Sequence, residues 1–245
     1  MKSAELDLSV VIPAYNEEPN LASTLKDIAG WFEAKDLTYE VIVVDDGSDD
    51  KTAEVASSLN HLFSSFALLK NESNRGKGYT VKKGVIAAKG RYLLFMDADN
   101  STRIDQIDKF MRALEEGNDI ALASRRIEGS EITKLQPLRR RVLGNLYIML
   151  SKIILGTSVR DYNCGFKLYK KDVAKLLFSK LTKDNWSFDS ELIYLAHKFS
   201  FKSKEVPVRW EDKAKTSKVR PLRDGINSLL SLFSIRLNAF KKVYD

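Results

Sequence analysis

Short apolar runs alternate with helix-period segments through the first half of the chain. Residues 8–13, 40–44, 66–69, 92–96 and 120–123 have the length and composition of buried strands. Between them, residues 19–32, 50–59, 77–88 and 104–116 carry apolar positions at helical spacing, the third of these punctuated by glycine. That alternation predicts an α/β fold with a mostly parallel, Rossmann-like sheet flanked by helices. The run 92–96 is apolar throughout, so its strand is expected near the centre of the sheet.

The second half departs from strict alternation. Helical patterns are predicted at 142–155, 171–178, 189–199 and 225–240, and no linker separates them from the first half. The last one carries Ile226, Leu229, Leu230, Leu232, Phe233, Ile235 and Leu237, with Arg236, Lys241 and Lys242 at its end. Such a helix suits a membrane interface, where apolar burial and attraction to anionic lipid add together. An ordinary helix packed on the sheet has the same pattern, and both readings stand. The apolar stretch 142–155 is interrupted by Lys152 and falls short of the roughly 20 residues that cross a bilayer. The polar, acidic segment from Met1 to Asp7 predicts no signal peptide.

The net charge of +7 changes this picture through its placement. From Arg125 to Lys171 the many basic residues are offset only by Glu128, Glu131 and Asp161, and a second basic excess runs from Lys202 to Arg223. Two such clusters in one half point to an anionic partner: a diphosphate, a lipid phosphate, an anionic membrane or a nucleic acid. A nucleic-acid module is disfavoured, because these stretches lack interleaved aromatic platforms. The single Cys164, expected to be buried, excludes an internal disulfide framework and fits a reducing, cytoplasmic setting. His61 and His197 lack metal-ligand spacing.

Polar clusters follow four of the predicted strands, where ligands of such sheets bind. Asp97 and Asp99 are two apart at a strand end and so share a face. Their repulsion would be relieved by Mg²⁺ or Mn²⁺ with sites left open for phosphate oxygens. Asp45-Asp46 follows the second strand, and Asp46 is the candidate for the nucleotide, while the Asp-Gly-Ser-Asp-Asp segment also suits a turn and helix cap. Asn74 to Gly78 sets Arg75 and Lys77 among glycines before a helix, so amides, a helix N-terminus and cations are expected to face an anion. It lacks Walker A spacing, which argues against an ordinary ATPase.

Across these segments the sequence resembles the family 2 glycosyltransferases of GT-A fold, and within them the polyprenyl (dolichyl) phosphate glycosyltransferases. The matching residues are Val11-Ile12-Pro13-Ala14-Tyr15-Asn16-Glu17, Val43 to Ser48, Asn74 to Gly78 and Met96-Asp97-Ala98-Asp99. In the second half Arg160-Asp161, Asn163 to Leu168, Trp186 to Glu191, Val206-Pro207-Val208 and Ser217-Lys218 look like the dolichyl-phosphate β-glucosyltransferase branch, which uses UDP-glucose. Relatives using GDP-mannose share the layout and remain the alternative.

The resemblance implies a single domain over 1–245, with a nucleotide-sugar half at 1–124 and an acceptor half at 125–245 bearing interfacial helices. It implies that Pro13, Tyr15, Glu17, Val44 and Asp46 line the nucleoside pocket, with Asp97, Ala98 and Asp99 at the metal and diphosphate. Asn100 stands where mannosyl-transferring relatives often have Gln. Arg125 matches a phosphate-contacting Arg, Arg140 (flanked by Arg139 and Arg141) one that receives the lipid phosphate, and Lys218 a residue that closes over the diphosphate. Eukaryotic members carry an N-terminal membrane anchor, for which no counterpart is expected here. The location implied is peripheral, on the cytoplasmic face of a membrane.

An acceptor phosphate is already anionic near neutral pH, its second pKa being about 6, so no strong base is required. Positioning and neutralisation of leaving UDP by the metal, Arg125 and Lys218 would then carry an inverting transfer. If the acceptor is instead a saccharide hydroxyl, Asp189 is the candidate base; its other readings are sugar orientation and capping of the helix it begins. Burial statistics favour core positions for Trp186 and Phe188 over a sugar platform.

Overall fold

The computed structural model describes residues 6–134, 138–213 and 221–245, without the side chains of 139, 140, 221–224 and 226. Its first half runs β1 (Leu8–Ala14), α1 (Glu18–Glu33), β2 (Tyr39–Asp45), α2 (Thr52–Ser58), β3 (Phe66–Lys70), α3 (Lys77–Ala87), β4 (Tyr92–Met96), α4 (Ile107–Glu115) and β5 (Ile120–Ser124). The second half adds β6 (Glu131–Lys134), α5 (Leu138–Leu155), β7 (Phe166–Lys170), α6 (Lys171–Lys180), α7 (Phe188–Lys198), β8 (Ser203–Pro207), β9 (Arg209–Glu211) and α8 (Pro221–Phe240).

Seven strands form one sheet in the order β3-β2-β1-β4-β7-β5-β8. β1 to β4 pair in parallel, as do β5 and β8, while β7 is antiparallel to both its neighbours. The sheet is therefore mostly parallel, and β4 is its central strand. β7, from the second half, inserts between β4 and β5 of the first. Its five residues carry two lysines, which masks the strand in the sequence. β6 and β9 form a separate two-stranded ribbon too short and exposed to leave a pattern.

Both faces of the sheet are covered. Leu8, Val10 and Ile12 of β1 pack with α1 and α4, while Val11 faces the opposite core with Val81 and Val85 of α3. The second core also takes Leu192 and Leu195 of α7 and Leu232 and Ile235 of α8. Alternate side chains of one strand thus serve two cores, which is why these runs are apolar without alternation. The segment predicted as a helix over 104–116 begins as a single 3₁₀ turn, Ile104–Gln106, before α4.

Candidate active site

The carboxyl ends of β1, β2 and β4 lie side by side, since Pro13 pairs with Val44 and Ala14 with Asp45, and Val11 pairs with Phe95. Two strand exits turn through left-handed asparagines, Asn16 at φ 51° and Asn100 at φ 56°, a conformation asparagine tolerates better than most residues. Asn16 and the Asp45–Ser48 turn stitch two exits together. The Asn16 amide donates to Ser48 Oγ at 2.9 Å, and Ser48 N–H donates to Asp45 Oδ1 at 3.1 Å. Asp50 Oδ1 accepts from the Thr52 amide at 2.9 Å as α2 begins, while the N-cap position itself, Lys51, makes no side-chain capping bond.

Asp46 is buried, and both of its oxygens are taken by the chain itself. Oδ1 accepts from Asn71 Nδ2 at 2.8 Å and the Arg75 amide at 2.9 Å, and Oδ2 from the Gly76 amide at 2.9 Å. The amides expected to face a bound anion therefore face Asp46 instead. Gly76, at φ 100°, makes the turn that directs them there. The next α3 amides are satisfied as well: Gly78 N–H donates to the Asp184 carbonyl at 2.7 Å and Tyr79 N–H to the same oxygen at 3.3 Å. Of the two cations in the segment, Arg75 has its guanidinium over the Tyr79 ring at 4.3 Å, and Lys77 turns to the acidic exit of β4.

Lys77 Nζ lies 2.6 Å from Asp97 Oδ1. Burial alone would lower the Lys77 pKa, but the neighbouring carboxylates, Asp97 first, hold it above its ordinary value. Asp97 itself is pinned by its amide, which donates to the Gly165 carbonyl at 2.9 Å. A Cβ on Gly165 would stand 1.9 Å from the Asp97 carboxylate, so only glycine fits the approach of this segment to β4. Burial, then repulsion from Asp97, pushes the Asp99 carboxyl up, although Asp99 Oδ1 accepts from the Ser101 amide at 3.0 Å. Ala98 is buried and its carbonyl accepts from Thr24 Oγ1 at 2.7 Å. Asn100 turns away, its amide donating to Asp27 Oδ2 at 2.7 Å.

This donor set fits a hard divalent cation. Two neighbouring carboxylates, one of them raised first by burial and then by the other's charge, carry a deficit of positive charge that one lysine leaves uncorrected. Among the described residues no cluster of three or more His, Cys, Asp or Glu is assembled. Magnesium sites of this kind use one or two carboxylates and complete their shell with phosphate and water.

On the β5 side, Arg125 is paired bidentately with Asp161: Nε donates to Oδ2 at 2.7 Å and Nη2 to Oδ1 at 2.8 Å. Its guanidinium also lies 5.1 Å from the Trp210 ring. Burial alone would raise the Asp161 carboxyl, but the Arg125 hydrogen bonds and charge carry it below its ordinary value. Asp189 is the second residue of α7 and makes no capping hydrogen bond. It is buried and ion-paired with Lys167 of β7, itself fully buried. Burial raises the Asp189 carboxyl despite Lys167 and Lys77.

Trp186 departs from the core expectation: it is 45% exposed, with Lys77 Nζ 4.9 Å from its ring, whereas Phe188 is fully buried. The α7 N-terminus beneath Trp186 needs Phe188 for packing on Phe95, which leaves the indole outside. Cys164 is buried, and burial pushes its thiol up to about 12. Tyr15 and Glu17 follow β1, and the Glu17 carboxylate accepts from Asn20 Nδ2 at 2.8 Å. Arg140 lies in α5 with its side chain outside the described residues, and Lys218 lies outside them altogether. Asp161 and Lys167, given no role from sequence, are the buried partners of two predicted site residues. An acid in a basic stretch and a lysine inside an apolar run were the signals that could have found them.

α5 and α8 pack against each other and present a common apolar face. Leu138, Val142, Leu143, Leu146, Met149 and Ile153 are exposed along α5. Leu230, Phe233, Leu237 and Phe240 are exposed along α8, the last at 87%. Two hydrogen bonds tie α5 to the site: Arg126 Nη1 donates to Asn145 Oδ1 at 2.5 Å, and the Tyr147 and Ser190 hydroxyls lie 2.7 Å apart. No described helix is long and apolar enough to cross a membrane.

A Rossmann-like sheet with an acidic pair at the end of its central strand, and an antiparallel strand inserted beside that strand, defines a GT-A glycosyltransferase. The chain belongs to glycosyl transferase family 2, whose model matches residues 9–178. It is 37% identical over 246 residues to a dolichyl-phosphate β-glucosyltransferase of Drosophila melanogaster, covering 95% of this chain and 75% of that protein. The human protein of the same name is 32% identical, with 94% and 75% covered. Among solved structures, glucosyl-3-phosphoglycerate synthase from Mycobacterium tuberculosis, in complex with Mn²⁺, UDP and glucosyl-3-phosphoglycerate, superposes with a TM-score of 0.68. It is 18% identical, over 95% of this chain and 79% of that one. Mannosyl-3-phosphoglycerate synthase from Rubrobacter xylanophilus superposes with a TM-score of 0.69 at 18% identity, covering 97% and 74%.

Proposed function

We infer that this protein transfers glucose from UDP-glucose to a dolichyl or other polyprenyl phosphate, with inversion at the anomeric carbon, at the cytoplasmic face of a membrane. The observation that carries the reading is the pairing of a sugar-diphosphate type of site with an exposed apolar face on α5 and α8. The relatives named as dolichyl-phosphate β-glucosyltransferases, similar over nearly the whole chain, support glucose as the sugar and dolichyl phosphate as the acceptor.

Pro13, Tyr15, Glu17, Val44 and Asp46 line the nucleoside end in this reading, with Asp46 acting by fixing the 71–76 segment. Asp97 and Asp99 would hold Mg²⁺ or Mn²⁺, which when bound supplies charge neutralisation for the leaving diphosphate. Lys77, already beside Asp97, adds a cation at the diphosphate. Arg125 and Lys218 act on phosphate, and Arg140 receives the phosphate of the lipid. The acceptor oxygen bonds to the anomeric carbon from the face opposite UDP, and the broken bond leaves its electron pair on the diphosphate. No proton has to be removed from an ionised phosphate, so positioning and electrostatics carry the reaction.

The apolar face seats the protein in the interface, where the acceptor's polar head is found. Arg126 and Tyr147 join that face to β5 and α7, so a lipid phosphate at the surface stands close to the donor. Labelled glucose should pass from UDP-glucose into an organic-extractable, acid-labile product, and high salt should release part of the protein from membranes. Label appearing only in a water-soluble product would sink the lipid acceptor. Protection from thermal unfolding by GDP with metal, but not by UDP, would move the donor to GDP-mannose.

A further inference from the structure

Lys167 is the second residue of β7, opposite Phe95 of β4 and Leu122 of β5, where its neighbours in register are apolar and buried. A lysine there is severely unfavourable unless its charge is matched and hydrogen-bonded. Its ammonium donates to the Tyr162 carbonyl at 2.9 Å and pairs with Asp189. The Phe95 ring has this ammonium on one contact, 5.8 Å from its centroid, and the Lys77 ammonium on another, at 5.3 Å. Asp189 lies within electrostatic reach of Lys77, and Lys77 touches Asp97. Charge therefore alternates from the core to the site: Lys167, Asp189, Lys77, Asp97.

We propose that Lys167 is a positioning residue for the donor: it holds Asp189 as a buried anion, and Asp189 in turn seats the Lys77 ammonium where the diphosphate binds. This rests on the transfer to a lipid phosphate argued above. In that reaction the phosphate oxygen forms the new bond to the anomeric carbon and UDP leaves with the electron pair, so no proton needs an acceptor. Asp189 is 3% exposed and committed to Lys167, which suits an anchor and not a group that meets the acceptor. Lys77 without Asp189 has only the Asp97–Asp99 side to answer to, and a divalent cation there repels it. The second anion keeps it in place when the cation arrives.

The test uses the full chain and reads UDP binding by calorimetry with Mg²⁺, beside kcat and KM for UDP-glucose with a polyprenyl phosphate. The charge-free pair Lys167→Met with Asp189→Leu removes both ions together, which spares the core an unmatched charge. Its Kd for UDP and KM for UDP-glucose are expected to rise about tenfold with kcat within about threefold, the signature of lost uniform binding. Lys167→Arg should stay within about twofold of wild type, and in a Lys77→Met background the pair should add nothing, because effects routed through one residue are not additive. Unchanged UDP affinity with a large fall in kcat would overturn the proposal by giving Asp189 a part in the chemical step. Additivity with Lys77→Met would overturn it too. If the pair does not fold, Asp189→Asn supplies the same affinity and kcat measurements. A wild-type protein that binds UDP but glucosylates only water-soluble acceptors would defeat the lipid reading, while the variants' UDP affinities still decide this one.

Discussion

The carboxyl end of the sheet and the outer face of α5 and α8 are built on opposite rules. At the sheet end, charges are buried or half-buried and matched: Asp46 by three donors, Arg125 by Asp161, Asp189 by Lys167 and Asp97 by Lys77. Asp99 has no ion-pair partner among the described residues: burial first, and then repulsion from Asp97, raises its carboxyl. On the outer face, large apolar side chains stand exposed along two packed helices, covered by no described residue. A preorganised polar site is costly to assemble but needs no rearrangement when a charged ligand arrives. An exposed apolar face of this extent marks an interaction surface. The difference teaches that the two substrates are met by different physics: the donor by fixed charge, the acceptor by a surface that follows its solvent.

The largest expected effect breaks the donor side alone. Asp97→Asn keeps the shape of the side chain while removing the charge that meets Lys77 and would meet the metal. Turnover is expected to fall about a thousandfold, the scale of losing a principal transition-state electrostatic contact. Binding to anionic vesicles should be unchanged, measured by co-sedimentation. Loss of vesicle binding in this variant would mean that the two regions are not separable.

The next effect breaks the other side. Leu146→Asp, Phe233→Asp and Leu237→Asp together place charges on the exposed face without touching a buried side chain. Vesicle affinity should fall about a hundredfold or more, since burying each such apolar group contributes about 1.5–3 kcal/mol. Calorimetric UDP affinity should stay at the wild-type value. A fall in UDP affinity would show that the face supports the fold of the site.

How much of this contrast was legible in the sequence follows from the range of the forces involved. β1 to β5 and their helices could be read because each apolar run is buried by neighbours in the same βα unit, so local composition reports the environment. β4 was placed in full, and so was its acidic exit. β7 was not, because Lys167 and Lys170 break its apolar run. The partner that lets Lys167 be buried, Asp189, is twenty-two residues away. The Asn74–Gly78 segment was expected to face a bound anion, yet its Arg75 and Gly76 amides face Asp46 of this chain, and only the fold decides between an internal carboxylate and a ligand. Trp186 fails for a related reason: its size favours burial, and its place at the α7 entrance, beside Lys77, overrides that preference.

A smaller effect tests how finely the sheet end is tuned. Gly165→Ala inserts a methyl group into the Asp97 carboxylate, so that carboxylate or the backbone before β7 must move. Overpacking of this kind costs about 1–3 kcal/mol. Metal-dependent UDP affinity should drop about tenfold by the factor of 10 per 1.4 kcal/mol, with vesicle binding intact. A variant with wild-type UDP affinity would mean that Asp97 has room the close packing denies it.

The smallest effect is a slope. The Asp161 carboxyl is held below its ordinary value by Arg125 once burial has been offset, so the folded state binds its proton less readily than the unfolded chain does. Stability from the pair is then fully present above the ordinary carboxyl pKa near 4 and is lost as pH falls through the folded value. Asp161→Asn removes that dependence and leaves Arg125 without its counter-charge. The stability difference between wild type and Asp161→Asn, followed by urea unfolding, should be constant from neutral pH down to about 5 and shrink below about 4. Vesicle binding draws on the exposed apolar side chains of α5 and α8, which lie outside the Arg125–Asp161 pair, so Asp161→Asn should leave it at the wild-type value at neutral pH. A stability difference that grew with acid would reverse the sign of the Asp161 shift. It would also remove the claim that charge at the sheet end is matched before the donor arrives.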